Sequence, residues 1–572
     1  MKKINLILLS TLLFCCLNSF TQTSQQIDIN NINARVNTKG FLFGDPNNFL
    51  PGFEAPKGSG KHSVYIANLW LGNATNLAAS SYFIDTTDFY NGPLNNLGTT
   101  DPSVEAQYNK VWKVTKTEID YHIGVTTGVI IDPGYVVPSN IADWPAHGNV
   151  SMGYEHHLAP FIDFNNDNFY EPLDGDYPDI KGDMATYIIY NDYSTHNFSG
   201  GQPIKAEIHQ MVYAYGCNND EALNNTIFVD YKIINKSTST YNNFYFGMWS
   251  DIDIGNPTNE YVQCDVNRGC YFQFNEEATD VNIGSTLGYG DYHPTQGVVI
   301  LAGPYKDNDG SDNPINEGPN GIGFGDGIMD NERLGMTSFM HHISGGASPW
   351  LRLPSTAFQL HGIMDAYWAD TTHLKYGWVG HEPHITVNIP ARFVYPGSSD
   401  SYGYGTSGFP QASWTKDNST LGTLDNKSVG SMGPITFEPG NVVELEIAYI
   451  FAQDNTTTGV QPGKNLFIQY VDHIKNLYTN NNISCSSTTN LFENEQQNDI
   501  TIYPNPANDY VTVQTNNQSV SIVNFYSIEG KLLQTSQLAN TNKINIEKFQ
   551  QGIYFLEVIS ENKKEILKLI KN

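Results

Sequence analysis

The sequence predicts an all-β protein: a multi-domain β-sandwich body with one packed helix, followed by a small C-terminal β-sandwich. Three observations lead to this prediction. Through most of the chain, short apolar segments alternate with polar residues at a period of two, and turns rich in Gly, Asn, Pro and Ser separate them. Only one stretch has a sustained helical period. The last part of the chain repeats the pattern of strand, turn and strand in shorter units.

The N-terminus has the pattern of a secretory signal peptide. Lys2 and Lys3 precede an apolar stretch over residues 4–17, and a polar segment follows. Cys15 or Cys16 could accept a lipid, but the preceding phenylalanine occupies a position where a lipoprotein signal needs a small residue. Nowhere else does the chain have a window of about 18 uninterrupted apolar residues. We therefore expect export without a lipid anchor and no transmembrane segment.

Charge is distributed unevenly along the chain. There are 30 Lys and Arg against 59 Asp and Glu, a formal net charge of −29, yet acids and bases balance from Asn498 onward. A negative surface excludes nucleic acid as a partner, because phosphate binding depends on Lys and Arg. Two explanations of the acidic excess remain open. Either the carboxylates keep an extracellular protein soluble, or bound cations neutralise a share of them.

Strand patterns fill the part of the chain before the C-terminal region. In residues 23–150 the clearest is Val64–Gly72, and in residues 151–480 the patterns are longer, as at Glu207–Tyr215 and Thr226–Asn235. This part is larger than one hydrophobic core usually spans. We therefore expect two or more β-rich units.

One convincing helix covers Lys464–Tyr478, where apolar residues recur at helical spacing. We expect it to pack on a sheet. Beyond it, residues 481–497 are rich in Asn, Ser, Thr, Gln and Glu and contain few apolar residues. That composition predicts a linker that a processing peptidase could reach.

The sharpest chemical motif covers residues 163–174, called the acidic loop below. Calcium prefers about six to eight oxygen ligands, and side-chain oxygens at alternating positions of a tight loop can surround one ion. The spacing predicts a calcium site with these ligands: Asp163, Asn165, Asp167, the Phe169 carbonyl, Glu171 and Asp174. Asn168 replaces the usual turn glycine, and Asp174 is shorter than the usual Glu. A solvated acidic turn is the alternative.

Further acidic segments have suitable residues but incomplete spacing, and each is either a calcium loop or a solvated turn. Their candidate ligands are Asp307, Asp309 and Asp312 in one loop, and Asp326, Asp330 and Glu332 in the next. Asp251 and Asp253 end an apolar strand, where a pair of carboxylates needs a partner or a cation.

Four cysteines follow the predicted signal peptide: Cys217, Cys264, Cys270 and Cys485. An even number outside the cytoplasm permits disulfides, and the spacing of Cys264 and Cys270 suits a short local loop. All three connectivities remain possible. Because no Cys/His array has zinc-finger spacing, a structural zinc site is not expected.

No catalytic motif stands out. The adjacent histidines His156 and His157, like His341 and His342, would point to opposite faces of a strand and could not share one ion without a bend. The His-Glu-Pro-His run from His381 lacks the helical spacing of a zinc protease. There is no serine-nucleophile elbow or phosphate loop. Pairs of acids suitable for glycoside hydrolysis could be found anywhere among 59 carboxylates, so their presence does not indicate a glycosidase. We therefore favour binding over catalysis.

The C-terminal region contains four motifs in order: a Tyr-Pro-Asn-Pro turn between two apolar alternations, a Glu-Gly-Lys hairpin turn, a Gly-Ile-Tyr strand and a basic end. The residues that carry them are Tyr503, Pro504, Asn505, Pro506, Gly530, Gly552 and Tyr554. Together they resemble the type A sorting domain of the Bacteroidetes type IX secretion system. The resemblance implies export across the outer membrane by that machinery and, usually, removal of the domain on arrival.

A second resemblance covers about a hundred residues of the main region. The segment from Asp163 to Asp192, the strands up to Trp249 and the residues from Asp251 to Gly269 are similar to a region of uncharacterised Bacteroidetes surface proteins. This implies a shared fold and export, and brings no activity with it.

These observations predict a secreted or cell-surface protein that reaches the exterior through the periplasm. Its predicted organisation is a signal peptide (1–22), an N-terminal β-rich region (23–150), a main β-sandwich region with acidic calcium-type loops (151–480), a linker (481–497) and a sorting domain (498–572). We expect calcium-stabilised binding or adhesion, with the type IX machinery and an extracellular glycan or surface component as partners. A secreted hydrolase of polysaccharide or protein, and a structural component of the surface layer, are the alternatives.

Overall fold

The computed structural model describes residues 22–343, 348–381, 388–419, 421–422, 424–481, 483, 485, 500–515, 520–527, 531–537, 543–560 and 564–571. The chain divides into two compact units, Met1–Cys485 and Ser486–Asn572, called the body and the tail below. Residues 1–21 of the predicted signal peptide and most of the predicted linker lie outside the described residues.

The body is built mainly of strands. The early strands are short: β1 Ser24–Ile27, β2 Asn33–Asn37, β3 Gly44–Asp45, β4 Leu50–Pro51, β5 Phe53–Glu54, β6 His62–Val64, β7 Ile66–Gly72, β8 Leu77–Ala78, β9 Tyr90–Asn91, β10 Trp112–Thr115, β11 Phe161–Ile162 and β12 Tyr177–Pro178. The later strands are longer: β13 Met184–Asn191, β14 Ala206–Ala214, β15 Thr226–Asn235, β16 Tyr241–Asp251, β17 Glu260–Asp265, β18 Cys270–Asn275, β19 Thr295–Ala302, β20 Ser338–Ile343, β21 Asn426–Phe437 and β22 Val442–Ala452.

These strands form two large antiparallel sheets. One has nine strands in the order β10-β13-β14-β15-β22-β19-β18-β17, with β9 also paired to β13. The other has five, in the order β20-β21-β16-β7-β8. A four-stranded sheet, β1-β2-β5-β6, and the pairs β3-β4 and β11-β12 complete the body.

The two large sheets pack face to face over a shared apolar core. The ring of Phe43 lies 4.6 Å from that of Tyr449, and the Ser250 hydroxyl of β16 lies 3.0 Å from the Tyr449 hydroxyl of β22. Phe339 of β20 and Tyr271 of β18, both fully buried, stack with their centroids 5.2 Å apart. Large buried rings between two antiparallel sheets are typical of a sandwich. The predicted β-sandwich is confirmed.

The opposite face of the nine-stranded sheet carries a second apolar core, which helices help to cover. The helices of the body are α1 Pro102–Gln107, α2 Lys116–Thr126, α3 Ser139–Ala142, α4 Glu221–Asn224, α5 Ala357–Met364 and α6 Val460–Thr479. Helix α5 is the exception, because its buried apolar residues belong to the first core. Helix α6 contains the predicted helix and buries Phe467, Val471 and Ile474, with Phe467 5.0 Å from Phe272 of β18. Because both faces are covered, β13 and β14 are buried along their whole length.

Helix α2 was not predicted from the sequence. Thr115 caps it, since its side chain accepts the Glu118 N–H while the Glu118 carboxylate accepts the Thr115 N–H at 2.8 Å. This capping box forms two hydrogen bonds at the helix start. Helix α2 buries only Ile119 and His122, so its apolar face is too narrow to give a clear helical period.

Strands from the predicted N-terminal region lie in the same sheets as strands from the main region. Strand β7 pairs with β16, and β10 pairs with β13. Residues on both sides of position 150 therefore contribute to one compact unit rather than to two.

The cysteines do not form the local bridge that their spacing suggested. Cys217 is bonded to Cys485, whereas Cys264 and Cys270 are buried free thiols. In the β17-β18 hairpin, Cys264 pairs with Tyr271 and Cys270 with Asp265. The two thiols therefore point to opposite faces of the sheet, into different cores, and cannot bond.

The tail has its own apolar core and two antiparallel sheets. Its strands are β23 Ile500–Tyr503, β24 Tyr510–Thr515, β25 Val520–Ser527, β26 Leu532–Gln537, β27 Lys543–Asn545, β28 Gly552–Ser560 and β29 Lys564–Lys571. The orders are β23-β24-β27 and β26-β25-β28-β29.

The sorting motif residues lie at the turns and strand ends of the tail. Tyr503 ends β23, and the Pro504-Asn505-Pro506 turn is fixed to β29 by the Asn505 side chain, which donates to the Lys568 carbonyl at 2.7 Å. Gly552 begins β28, and the Tyr554 hydroxyl donates to the Gln550 carbonyl at 2.8 Å. Gly530 lies outside the described residues.

Candidate functional site

The acidic loop connects β11 to β12 and turns tightly around Asp163. The Asp163 carboxylate accepts backbone N–H bonds from Asn166 at 2.7 Å, Asp167 at 3.3 Å and Asn168 at 2.8 Å. Asn166 and Asn168 have φ values of 60° and 73°, a left-handed conformation that Asn tolerates better than most residues. The loop therefore makes its turns without glycine at these positions.

Asp176, which from the sequence could add a ligand or merely continue the turn, anchors the acidic loop. Its fully buried carboxylate accepts the Phe164 N–H at 2.8 Å and the Glu171 N–H at 2.7 Å. Both ends of the loop are thereby held to one point. Asp176 directly precedes the short strand β12, and this position at the start of a strand is the sequence feature that could have indicated its role.

The remaining predicted ligands lie on the exposed side of the acidic loop. Asp167 accepts the Phe169 N–H at 2.9 Å and the Asn165 side chain at 2.9 Å, and these hydrogen bonds lower its pKa. The Asp167 carboxylate in turn raises the pKa of Glu171. Like charges are thus crowded in the loop, and Asp174 adds another at the end of its last turn.

The second and third acidic segments pack against one another. Asp330 accepts the N–H groups of Asp309 and Gly310 at 2.8 and 2.9 Å, and Asp312 accepts those of Gly325 and Gly327, each at 2.8 Å. The other candidates also have donors: Asp307 bonds Thr436, Asp309 bonds Lys306, Asp326 bonds Asn331 and Glu332 bonds Asn313. Calcium in these segments remains a prediction.

A groove of about 490 Å³ opens beside the acidic loop, on the face of the nine-stranded sheet that carries the second core. One wall is the segment His157–Phe161, which leads directly into the acidic loop. Its floor is formed by side chains of β13, β14, β15 and β22, with Lys181 at one side. The polar and aromatic floor residues are Tyr187, His209, Asp230, Lys232, Glu444 and Glu446.

Lys181 joins two carboxylates on the groove floor. Its Nζ lies 2.6 Å from Asp230 and 3.5 Å from Glu446, which are directly opposite one another on β15 and β22. Burial raises the pKa of Asp230 to about 6, although Lys181 opposes that shift. For Glu446, Lys181 and Arg333 outweigh burial and lower the pKa. Two neighbouring acids thus have pKa values shifted in opposite directions.

A hydrogen-bonded chain of three side chains lies deeper in the floor. The Glu207 carboxylate lies 2.9 Å from His209 Nε2, and His209 Nδ1 lies 2.9 Å from the Tyr187 hydroxyl. Burial raises the pKa of Glu207, but the hydrogen bond to His209 and the electrostatic interaction with it have the larger combined effect. The pKa of Glu207 is therefore lowered. Burial raises the pKa of Tyr187, which therefore keeps its proton.

The groove residues were missed because they come from strands that are far apart in the sequence. The available signal was the charged or polar residue at every second position of otherwise apolar strands, as in Glu207 and His209 or Glu444 and Glu446. Such alternation places these side chains on one face of a sheet. It does not reveal which strands become neighbours.

Among the described residues, His, Cys and carboxylate ligand atoms come within 4.8 Å of one another in groups of three at two places. One is His147, His156 and His157, beside the groove. The other is Asp251, Asp253 and Asp425. The sequence singled out Asp251 and Asp253 but missed Asp425, which the start of β21 brings to them.

Lys427 supplies a positive charge to the aspartate group. Its Nζ lies 2.5 Å from Asp251 and 3.9 Å from Asp253, and it also pairs with Asp425. Glu260 lies close by and is fully buried. The need for a partner that the sequence indicated at Asp251 is thus met, at least in part, by an ammonium group.

Comparison with known proteins assigns the C-terminal region. Residues 501–572 match the family described as Secretion system C-terminal sorting domain. No curated protein matches the chain. A solved structure described as a polysaccharide lyase aligns with 64% of this chain and 34% of its own length, at 7% sequence identity and a TM-score of 0.18. That TM-score is too low to indicate a shared fold.

The family match confirms the resemblance found in the motifs of the tail. A sorting domain of this kind directs export by the type IX machinery, so the protein is secreted or displayed at the cell surface. In the part of the chain that the structure describes, no helix has the length and apolar character needed to cross a membrane.

Proposed function

We propose that the body is a calcium-stabilised extracellular binding protein whose ligand, a glycan segment, occupies the groove. The observation that supports this most directly is the continuity between the groove and the acidic loop. The wall His157–Phe161 leads into β11, and β11 pairs with β12 across the acidic loop. A cation bound in the loop would therefore hold the wall in place.

Calcium is supported by the chemistry of the loop and by the setting of the protein. Asp163, Asp167, Glu171 and Asp174 place four carboxylates within twelve residues, and the raised pKa of Glu171 reflects their repulsion. A hard divalent cation would relieve that repulsion. Binding outside the cell, where calcium is plentiful, would couple the order of the loop to export.

A glycan is supported by the mixed lining of the groove. Lys232 and Glu444 are exposed and directly opposite one another at its edge, so donors and acceptors lie side by side. Phe161 contributes an aromatic side chain to the wall. Sugars present hydroxyl groups around an apolar ring face, and sites of this mixed character suit them.

The alternative function is a secreted hydrolase of polysaccharide, and the oppositely shifted pKa values of Asp230 and Glu446 favour it. Glycosidases use one protonated and one ionised carboxyl group. However, the Lys181 ammonium contacts both groups, and Arg333 also pairs with Glu446 at 3.2 Å. Both carboxylates are thus already ion-paired, which disfavours the roles of acid and nucleophile. Binding is therefore the better supported function.

The test is a glycan array probed with the purified full-length chain, followed by titration of the best ligand. The double variant Lys232→Ala, Glu444→Ala should weaken binding at least tenfold without affecting folding, because both side chains are exposed. The matched control is Lys116→Ala, Asp120→Ala, an exposed pair on α2 with Nζ 2.8 Å from the carboxylate. Equal affinities of the two double variants, or no binding to any glycan, would contradict the proposal. Release of reducing ends would instead support the hydrolase.

A further inference from the structure

His147, His156 and His157, the histidine cluster, converge at the wall of the groove. One ring nitrogen of each lies within 4.8 Å of the others. The ring centroids are 4.2 Å apart for His147 and His156, 5.4 Å for His147 and His157, and 4.6 Å for His156 and His157. We propose that the histidine cluster binds a divalent transition-metal cation, and that its donors suit Zn²⁺ best.

The backbone explains why two adjacent histidines can face one ion. Residues 149–153 form a turn that ends at Gly153, with φ of 84°, and returns the chain so that His147 and His157 form an isolated antiparallel bridge. Around His156 the backbone is irregular rather than a strand, since Gly148 N–H contacts the carbonyls of both Glu155 and His156. The alternation that separates neighbouring side chains in a strand is therefore lost here.

One pair of nitrogens has the spacing of tetrahedral coordination. His156 Nδ1 and His157 Nε2 are 3.3 Å apart. Two imidazole nitrogens bound to one tetrahedral zinc at about 2.0 Å are separated by roughly 3.3 Å. Without a metal, His157 Nε2 carries a proton, because the Asn168 side-chain oxygen 3.0 Å away can only accept. A cation would replace that proton.

Hydrogen bonds fix the tautomer of His147. Its Nδ1 lies 2.8 Å from the His156 carbonyl, which can only accept, and its Nε2 accepts the Tyr170 N–H at 2.8 Å. Nδ1 therefore carries the proton and Nε2 keeps its lone pair. A backbone carbonyl on Nδ1 is the usual support for a histidine that binds metal through Nε2. Metal binding would exchange the Tyr170 bond for a coordination bond.

The acidic loop adjoins the histidine cluster on one side. His157 Nε2 lies 3.0 Å from the Asn168 side-chain oxygen, in the acidic loop. The backbone N–H of Asn168 in turn donates to the Asp163 carboxylate, so hydrogen bonds through Asn168 connect the histidine cluster to the acidic loop.

Three imidazole ligands leave a fourth position of a tetrahedral cation for water or for a ligand oxygen. His157 is also a wall residue of the groove. A metal held by the histidine cluster would therefore lie at the edge of the groove, where a bound molecule could reach it. This site differs from the predicted calcium site in its donors, because imidazole nitrogens select transition metals and carboxylates select calcium.

The test uses the untagged full-length chain, treated with a chelator and then kept in excess calcium so that oxygen sites are filled. Titration with ZnCl₂ should show one zinc per chain bound at micromolar affinity or tighter. Co²⁺ in its place should give the strong visible absorption of a tetrahedral site. The double variant His156→Ala, His157→Ala should lose at least a hundredfold in affinity and lose the cobalt spectrum.

The matched control is His473→Ala, which removes an exposed histidine on α6 that pairs with Asp220 at 2.7 Å. It should bind zinc like the unmodified chain. Thermal melting without zinc checks that the double variant is folded, and because His156 and His157 are at or near the surface, we expect a similar midpoint. Absence of zinc binding by the unmodified chain, or equal binding by the folded double variant, would overturn the proposal.

Discussion

Lys427 and Asp251 form an ion pair in the interior of the body, with 2.5 Å between Nζ and the carboxylate and side-chain exposures of 2% and 3%. Lys427 lies on β21 and Asp251 on β16, directly opposite in register. Asp253 lies 3.9 Å from the same ammonium, and Glu260 interacts with it electrostatically. Burial together with neighbouring carboxylates raises the pKa of Asp253 and of Glu260 well above the usual value. The group therefore contains more acids than its lysine can neutralise.

Replacing Lys427 with Met should destabilise the body strongly. Removal of one partner from a buried ion pair leaves an uncompensated charge and typically costs about 3–5 kcal/mol. Urea unfolding at neutral pH would measure the loss. Lys116→Met is the matched control, because its pair with Asp120 is more than half exposed, and such pairs contribute about 0–1 kcal/mol. Equal losses for the two variants would show that Lys427 does not neutralise the buried acids.

Glu260→Gln should make the body less sensitive to rising pH. Below the usual Glu pKa of 4.5, the carboxyl group is protonated in both the folded and the unfolded chain. Above that pH the unfolded chain releases the proton while the folded chain keeps it, so the free energy of unfolding falls by up to about 1.4 kcal/mol per pH unit. The fall ends once the folded carboxyl also ionises.

Glutamine has no proton to release. The free energy of unfolding of Glu260→Gln should therefore rise relative to that of the unmodified chain as pH increases from 5 toward neutrality. Urea unfolding in a pH series would follow it. Glu438→Gln, at an exposed position after β21, is the control and should run parallel to the unmodified chain. Parallel curves for Glu260→Gln would contradict the raised pKa.

Local patterns in the sequence predicted individual elements well. The predicted strand Thr226–Asn235 has the same bounds as β15, and Glu207–Tyr215 differs from β14 by one residue at each end. The predicted helix from Lys464 lies within α6. In each case a long apolar alternation or stripe decides the conformation. Helix α2 was missed because a cap rather than an apolar face defines it.

The sequence could predict only those parts of the site whose residues are close together in the chain. The acidic loop is continuous in sequence, and its asparagine turn at Asn168 has the left-handed conformation expected. The groove depends on pairings such as Asp230 with Glu446, which are over two hundred residues apart. The histidine cluster depends on a turn that brings His147 back to His157. No pattern within a single segment contains such information.

The disulfide between Cys217 and Cys485 should contribute substantially to stability. It closes a span of 268 residues, for which the chain-entropy estimate is about 5.6 kcal/mol. We expect Cys217→Ser, Cys485→Ser to lower the melting temperature and to abolish the effect of a reductant. Cys264→Ala, which removes a buried free thiol, should leave the reductant effect unchanged. A melting temperature of the unmodified chain that is the same with and without reductant would contradict this prediction.

Calcium should stabilise the body through the acidic loop. A ligand that binds only the folded chain raises the free energy of unfolding by about 2.7 kcal/mol when its concentration is a hundred times the dissociation constant. Chelation should therefore lower the melting temperature, and Asp163→Asn with Asp167→Asn should remove that sensitivity. Asp163 matters most, because three backbone N–H groups surround its carboxylate and shape the loop.

The control for the calcium experiment is Asp120→Asn, an exposed aspartate on α2. It should keep the full response to chelation, since it lies outside every acidic loop. Zinc must be absent from both arms, because common chelators also remove zinc and the histidine cluster adjoins the loop through Asn168. If the unmodified chain melts at the same temperature with calcium and with chelator, the loop is a solvated turn. If the double variant still responds, the calcium is bound elsewhere. The second and third acidic segments, which the bond from Gly325 N–H to Asp312 joins, then become the next site to test.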